Sequence, residues 1–317
     1  MFQFFKFFSL ADALKKKGVL NMNYRNFAII GCNNSRQLFP LVDDKVKTKE
    51  LADKVGIKTP KLIGVIRAQF DVKNLLSIVK DCTGFVIKPA HGSGGKGVLV
   101  IKSYTQNYFK TASNDVLTFS EVYQHISNIL SGLYSLGGQY DEALIEDVVT
   151  FTDDFKEFSF QGVPDVRVIV YHGYPVMAMM RLATKESGGR ANLHQGAVGV
   201  GIDIKTGQAI AAVQHNKSIF YHPDTKADLL TLKVPFWREH LEIAAKGFDM
   251  TGLGYLGADI VIDKNLGPMM LELNARPGLS IQIANQKGLV PILDKIETWP
   301  KNLSFSKRVD FVLNENK

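Results

Sequence analysis

Three oxygen-bearing side chains near the end of the chain are the first candidates for chemistry. Asp259, Glu272 and Asn274 fall in "YLGADIVIDKNLGPMMLELNARPG", two apolar runs that read as paired strands around Asn265-Leu266-Gly267. Glu272 and Asn274 stand two apart on one run, so in a strand their side chains share a face, with Asp259 on the partner run. Oxygen donors converging from a hairpin, with no cysteine nearby, suit Mg²⁺, which takes oxygen ligands in octahedral geometry. The plainer alternative is strand-end polar residues in water. Glu272 stands between Leu271 and Leu273 after Met269-Met270, which argues against idle exposure.

A second group lies in "FVIKPAHGSGGKGVLVI", residues 85–101. Gly92 to Gly97 fits G-x-G-x-x-G, and Gly95-Lys96 looks like the end of a Walker A loop. Both motifs require a helix after the glycines, whose N-terminus receives the phosphate. Here the next residues are Val98-Leu99-Val100-Ile101, an apolar, mostly β-branched run that reads as a strand. The segment is therefore expected to be a glycine-rich hairpin flap whose backbone N–H groups can close over phosphates. Lys88, after three apolar residues, is costly to bury without an anion and stands beside the flap. Its alternative is an edge lysine with its amine in water, and Lys45, before a helix, has the same two readings. Asp165 and Arg167 share one strand face, and a structural salt bridge is the preferred reading of Arg167. Arg190, Asn192 and His194 alternate through "GGRANLHQG"; the alternative is a polar loop, which is preferred for His194. No nucleophile signature is present: G-x-S-x-G is absent and neither Cys32 nor Cys82 has a recognisable context.

The elements that must carry these residues alternate between hairpins and helices. The pattern predicts a short strand over Phe27 to Gly31 and a helix over Thr48 to Val55, stopped by Gly56. A helix over Asp71 to Lys80 would present Leu75, Leu76 and Val79 on one face. A strand over Phe85 to Lys88 ends at Pro89. Thr118 and Glu121 form a capping box for a helix reaching about Ser135, and "EALIEDVV" reads as a buried strand. "DVRVIVYHGYPVMAMMRLAT" makes a hairpin through His172-Gly173, and "GAVGVGIDIKTGQAIAAV" another through Lys205-Thr206-Gly207. Phe236 to Phe248 is an amphipathic helix, and the segment from Ser304 onward carries no readable pattern. The class is α+β, built largely from antiparallel hairpins.

The chain has 317 residues, 45% hydrophobic and 22% charged, which allows about two domains or one large multi-lobed unit, and a sizeable core. A net charge of +7 suits an anionic ligand, a nucleic acid or an anionic membrane. No Lys/Arg stripe interleaved with aromatics is present, so nucleic acid is not expected. Two cysteines without C-x-x-C spacing leave no disulfide framework or thiolate zinc site, in keeping with a reducing cytoplasm. No run approaches the roughly 18 apolar residues of a membrane span. In "MFQFFKFFSLADALKKKGVL", Phe4, Phe7, Phe8, Ala11 and Leu14 fall on one helical face, Lys6 interrupts, and Lys15-Lys16-Lys17 follow. That order is the reverse of a signal peptide. A helix docked on the core is the preferred reading, and a membrane-surface helix the second.

Singly these signals are weak, but their order is specific. A lysine before a helix, "VIKP" with a glycine flap, "IEDV", "DVR", "RANLHQG", "GAD" and "LELNARPG" occur in the order of the ATP-grasp carboxylate–amine ligases. The chain resembles their RimK-like branch, the α-L-glutamate ligases and relatives, and also resembles ATP-grasp proteins associated with sugar transfer. The resemblance covers about residues 41 to 295, with "LELNARPG" and "RANLHQG" its more specific parts. It implies an ATP-grasp fold, two α+β lobes whose antiparallel sheets clasp the nucleotide. A small lobe over 41–140 would hold the flap and a large lobe over 141–300 the metal site. A short helix and strand (1–40) would precede them and a tail (301–317) follow. Lys45 and Lys88 would contact ATP phosphates under the flap of His91, Gly92, Ser93, Gly94, Gly95, Lys96 and Gly97. Glu146, Asp147 and Val148 would form the adenine hinge and Asp165 would accept from the ribose. Arg190 and Asn192 would lie at the phosphate end and Arg276 would face the reacting carboxyl group. Asp259, Glu272 and Asn274 would hold Mg²⁺, or Mn²⁺ in its place.

The implied reaction is ATP-dependent amide or peptide bond formation through an acylphosphate. Glutamate or another amino acid would be added to a peptide, small molecule or envelope component. The rival reading is a non-ligating ATP-binding subunit of a membrane or envelope assembly. The Phe-rich, basic N-terminus favours it and the intact oxygen trio opposes it. About forty residues precede Lys45, too few for the N-terminal α/β domain that such ligases carry. With a reduced or missing domain, the acceptor site would be built differently, completed by a partner protein or a second copy, or absent. The location implied is cytoplasmic, with peripheral contact at the inner face of the membrane through the N-terminal helix.

Overall fold

The computed structural model describes residues 12–92, 94–135 and 137–315. The chain divides into two compact units, one of residues 43–150 and one of residues up to 42 joined with 151 onward.

The 43–150 unit is a six-stranded antiparallel sheet covered by helix. Helix α1 (Lys45–Lys54) starts three residues before the expected Thr48 because Asp44 caps it, accepting from the Val46 and Lys47 N–H groups. Gly56, at φ +67°, follows its end as the stop. The sheet comprises β1 (Leu62–Ile66), β2 (Phe85–Pro89), β3 (Leu99–Tyr104), β4 (Tyr108–Thr111), β5 (Val116–Thr118) and β6 (Ala143–Glu146), in the order β1-β6-β2-β3-β4-β5. Helix α2 (Phe119–Leu130) carries the predicted Thr118/Glu121 capping box. Its Val122, Ile126 and Ile129 join Phe85, Ile87, Ile101 and Phe109 in one core. The helix expected over Asp71 to Lys80 is a 3-10 run, Gln69–Asn74, and one α turn, Leu75–Ile78; Leu75 and Val79 are nonetheless buried. A lobe ending at residue 140 would omit β6, an interior strand of this sheet paired with β1 and β2.

The second unit is built on a seven-stranded antiparallel sheet: β7 (Asp165–Tyr171), β8 (Tyr174–Leu182), β9 (Val198–Ile202), β10 (Ala209–Gln214), β11 (Lys217–Ser218), β12 (Tyr255–Asp263) and β13 (Gly267–Asn274). Their order is β11-β10-β9-β8-β7-β12-β13. The β7–β8 hairpin turns at His172 and Gly173, both at positive φ, as the sequence indicated. Helix α3 (Trp237–Thr251) packs on β7 and β12. Two findings correct the sequence reading. The expected strand at Phe27 to Gly31 is helical, an α turn Met22–Tyr24 capped by Asn21 running into a π turn Arg25–Ile30. The Ile29-Ile30 pair suggested a strand. In the fold both isoleucines are buried while Phe27 is 85% exposed, a one-sided burial that a helical turn supplies. The segment after Ser304 is helix α4 (Phe305–Asn314), held by Arg308, whose guanidinium donates to both Asp249 carboxylate oxygens and to the Gly173 carbonyl.

Phe4, Phe7, Phe8 and Ala11 lie outside the described residues; Leu14 belongs to a helical stretch, 12–16, and is 44% exposed. Among the described residues no helix is long and apolar enough to cross a membrane.

Candidate active site

In the 43–150 unit, β2 and β6 run side by side and bring Lys88 to Glu146. Lys88 is 8% exposed, and its Nζ lies 2.5 Å from Glu146 Oε1. From α1, Lys49 Nζ lies 2.9 Å from Glu146 Oε2 and donates to the Pro60 carbonyl. Burial alone would raise the Glu146 carboxyl; Lys88 and Lys49 outweigh it and hold the group below its usual range. Burial pushes the Lys49 amine down, against Glu146 and with Lys88. The lysine at a strand end thus has its anion, and that anion is the first residue of the expected hinge. Asp147 donates its N–H to the Lys61 carbonyl and accepts from the Val148 N–H. Lys49 was missed; its one signal was helical spacing four residues after Lys45.

Lys45 opens α1 and ties it to the root of the glycine segment. Its Nζ donates to the Gly92 carbonyl (2.5 Å) and the Ala90 carbonyl (3.3 Å). β2 and β3 pair in an antiparallel hairpin on either side of that segment, as the apolar run after the glycines required. Gly94, Gly95 and Gly97 have φ of +64°, +73° and +74°, where side chains are strained. A Cβ at Gly94 or Gly95 would meet nothing within 4 Å, whereas one at Gly97 would fall 2.6 Å from Tyr134. Lys96 is exposed and Ser93 lies outside the described residues. His91 is held by a residue that the sequence did not single out. Asp141 accepts from His91 Nδ1 (2.7 Å), the His91 N–H (3.1 Å), Ser135 Oγ (2.6 Å) and the Glu142 N–H (2.7 Å).

In the second unit, strand register assembles an ionic cluster. β12 places Asp259 opposite Arg167 of β7, and β7 places Asp165 opposite Arg181 of β8. Arg167 reaches both oxygens of Asp259, Nε to Oδ1 at 2.7 Å and Nη2 to Oδ2 at 2.5 Å. Arg181 bridges the two acids, Nη2 to Asp259 Oδ2 at 2.8 Å and Nε to Asp165 Oδ1 at 2.6 Å. Burial, which would raise the Asp259 carboxyl, is outweighed by Arg167 and Arg181, which hold it well below its usual range. Burial pushes the Asp165 carboxyl up, opposed by Arg181 and aided by Asp259. Arg167 does form the expected salt bridge. Its partner is the acid across the strand pair, because Arg181, a single charge within "MMRLAT", takes Asp165.

Glu272 lies in register with Asp259, and Asn274 Nδ2 is 3.3 Å from Glu272 Oε1 and 3.4 Å from Asp259 Oδ2. The three expected metal residues are therefore brought together. As a donor set, two carboxylates and an amide fit a hard cation. Their placement qualifies this: both Asp259 oxygens carry guanidinium donors. Among the described residues no group of three His, Cys, Asp or Glu side chains is placed to hold a metal. Asn192 Oδ1 accepts from the His194 N–H and caps the turn Leu193–Gln195, while Arg190 and His194 are exposed. Arg276 is exposed, with its guanidinium carbon 4.7 Å from the centre of the Phe39 ring.

The sugar-transfer associated ATP-grasp family matches residues 24–298. The chain belongs to this family. Its mixed helices and antiparallel sheets are the ATP-grasp α+β fold. Among curated relatives, a "Probable alpha-L-glutamate ligase" of Legionella pneumophila (strain Corby) is 26% identical over 267 residues, covering 84% of this chain and 66% of the relative. One of the same description from Pseudomonas putida (strain GB-1) is 25% identical over 260 residues, covering 82% and 64%. The chain thus spans just under two thirds of the length of these relatives. Among solved structures, the ATP-grasp ligase PsnB with minimal precursor, Mg and ADP is similar at a TM-score of 0.46, with 14% identity, covering 87% of this chain and 62% of that one. D-alanine–D-alanine ligase from Bacillus anthracis complexed with ATP is similar at 0.45, with 13% identity, covering 87% and 67%.

Proposed function

We propose that this ATP-grasp protein is an ATP-dependent carboxylate–amine ligase that requires Mg²⁺, which Mn²⁺ can replace. The observation that carries the reading is the convergence of Glu272 and Asn274, at the end of β13, with Asp259, in the middle of β12. A substrate carboxylate oxygen attacks the γ-phosphorus of ATP, ADP leaves, and an acylphosphate forms. An amine nitrogen then attacks the acyl carbon, and inorganic phosphate departs with the carboxylate oxygen. Catalysis of this kind is positioning and charge stabilisation, and it needs no nucleophilic side chain. Lys45 and Lys88 and the backbone of the His91 to Gly97 flap hold the phosphates. Glu146, Asp147 and Val148 border the adenine, Asp165 serves the ribose side, and Arg190 and Asn192 the transferring phosphoryl group. Glu272 and Asn274, with Asp259 adjoining, would hold the metal, which would supply charge neutralisation to the phosphates. Arg276 receives the reacting carboxyl group.

The relatives described as probable α-L-glutamate ligases support an amino acid, glutamate among them, as one substrate. Exposed Met22, Phe27 and Leu14 beside Lys15, Lys16 and Lys17 support peripheral contact with an anionic lipid surface at the cytoplasmic face. A screen for phosphate release from ATP across amino acids, peptides and amino sugars tests the ligase reading. Release that depends on one carboxylate together with one amine is expected. Nucleotide binding with no release for any pair would leave the non-ligating subunit instead.

A further inference from the structure

The loop after Asn274 is short, lies outside the sheet, and is bonded in part by a distant stretch of the chain. Residues 275–279 link β13 to the helix Ser280–Ala284. Their carbonyls have no ladder partners, and such groups must be paired elsewhere. The N-terminal segment pairs two of them, those of Ala275 and Pro277, and the Leu279 carbonyl accepts from the Gln282 N–H. Asn34, 5% exposed, donates from Nδ2 to the Ala275 carbonyl (3.3 Å) and the Tyr255 carbonyl (2.7 Å), and its Oδ1 accepts from the Tyr255 N–H (2.8 Å). Arg25 Nη1 donates to the Pro277 carbonyl (2.9 Å), while its Nε and Nη2 donate to Asn26 Oδ1. Pro277 in turn lies over Gly257, where an added Cβ would fall 2.8 Å from its ring. Phe39 supplies the surface under the Arg276 guanidinium. The segment itself is anchored at Leu20, whose backbone exchanges two hydrogen bonds with Gln282, and at Gly18, whose carbonyl accepts from the Val290 N–H.

The conformation that sets Arg25 is unusual. Arg25 opens the π turn, and the Gly31 N–H reaches the Asn26 carbonyl five residues back. Such turns are rare and concentrate at functional sites. A guanidinium lying over an aromatic ring keeps its N–H donors in its own plane, where a carboxylate can take two of them.

We propose that residues 18–39 build the carboxylate side of the site, with Arg25, Asn34 and Phe39 as positioning residues that fix the 275–279 loop and the direction of the Arg276 guanidinium. This rests on the ligase reading of Arg276 and names what stands beside it. The ligand class is a carboxylate, recognised by a ring-backed arginine.

The variants that test it are Phe39→Leu, Phe39→Trp, Arg25→Gln and Asn34→Ala in the full chain. Arg25 and Phe39 are only partly buried, so their variants serve if Asn34→Ala does not fold. With the carboxylate–amine pair found in the phosphate-release screen, Phe39→Leu raises KM for the carboxylate about tenfold and leaves KM for ATP unchanged. Phe39→Trp restores most of the loss. Hydrogen exchange in 275–279 quickens in Arg25→Gln and Asn34→Ala while α3 keeps its protection. Equal rises in both KM values, a tryptophan no better than leucine, or unchanged exchange would reduce the segment to a structural cap and overturn the proposal. If no pair releases phosphate, the ligase reading fails separately, and the Arg276 Hε resonance decides the positioning claim with sodium acetate as probe. Acetate shifts that resonance in the wild type and less in Phe39→Leu if the claim holds; equal response in both overturns it.

Discussion

Glu146, in the 43–150 unit, and Glu272, in the other unit, are both acidic residues proposed to serve ATP, and their surroundings assign them different consequences. Glu146 is the shared counter-ion of two buried lysines. Glu146→Gln leaves two buried ammonium groups facing a neutral amide, and stability of the 43–150 unit is expected to fall by about 3 kcal/mol, measured by urea unfolding. Asp259→Asn should cost a similar amount in the second unit, because Arg167 and Arg181 lose the acid they share. Glu272 is partly exposed, and the two arginines of that network bond Asp259 and Asp165. Glu272→Ala should therefore abolish ATP turnover while the melting temperature holds within a few degrees; wild-type turnover in excess chelator would sink the metal assignment. Lys88→Ala should reduce the rise in melting temperature that Mg-ATP gives at subsaturating nucleotide, and an unchanged rise would make Lys88 structural. His240, in α3, supplies a pH signature. It is fully buried, its Nδ1 lies 3.0 Å from the Phe236 carbonyl, and its Nε2 has no partner; burial pushes its pKa down to about 4. The unfolded chain takes up the proton near pH 6.5, so this contribution is whole above that value and is lost as pH falls towards 4, by at most about 3 kcal/mol. His240→Leu should flatten the stability profile across that window. An unflattened profile would assign the acid sensitivity to other groups.

At the level of elements, the glycine hairpin and the capped helices behave differently under substitution. Gly94 and Gly95 combine positive φ with open space around an added Cβ, so valine there strains the backbone without a collision. Gly95→Val should cost about 1 kcal/mol of stability and raise KM for ATP by a larger factor, since a side chain holds the backbone off the phosphates. Gly97→Ala adds a collision with Tyr134 and should cost more stability than Gly95→Val. Amides of 94–97 should exchange quickly alone and gain protection with a non-hydrolysable ATP analogue and Mg²⁺; exchange unchanged by saturating nucleotide would remove the hairpin from the phosphate site. Elements with local signals were readable in the sequence. The Thr118/Glu121 box, Gly56 after α1, and the His172-Gly173 and Asn265-Leu266-Gly267 turns each depend on residues within four positions of one another. The Asp71 to Lys80 segment kept its buried face but not its regular helix, because apolar spacing reports which side is inward and says less about hydrogen-bond pitch.

On the scale of the whole molecule, the N-terminal segment has the least local definition and the widest reach. The exposed Phe27 and Met22, with Lys15 to Lys17, predict that the full chain floats with phosphatidylglycerol vesicles and not with phosphatidylcholine alone. Phe27→Ser with Met22→Ser should weaken this about tenfold; flotation indifferent to both changes would remove these residues from any lipid contact. Its other surface could not be read from the sequence. Ile29-Ile30 reads equally as a strand or a buried helical turn, and the choice is made by what Leu20, Arg25 and Asn34 meet more than two hundred residues away. The sequence by itself determined the α+β class, the hairpins, the glycine flap as a strand-to-strand link, and the shared face of Glu272 and Asn274. All of these follow from period-2 alternation, turn residues and short spacing. Only the tertiary structure decided that Lys49 shares Glu146, that Arg181 joins Asp165 to Asp259, that Asp141 holds His91, and that Arg25 and Asn34 reach the Pro277 and Ala275 carbonyls. Those partners are fixed by strand register and by hydrogen-bond groups that no neighbour in the chain can satisfy, and register is a property of the assembled sheet.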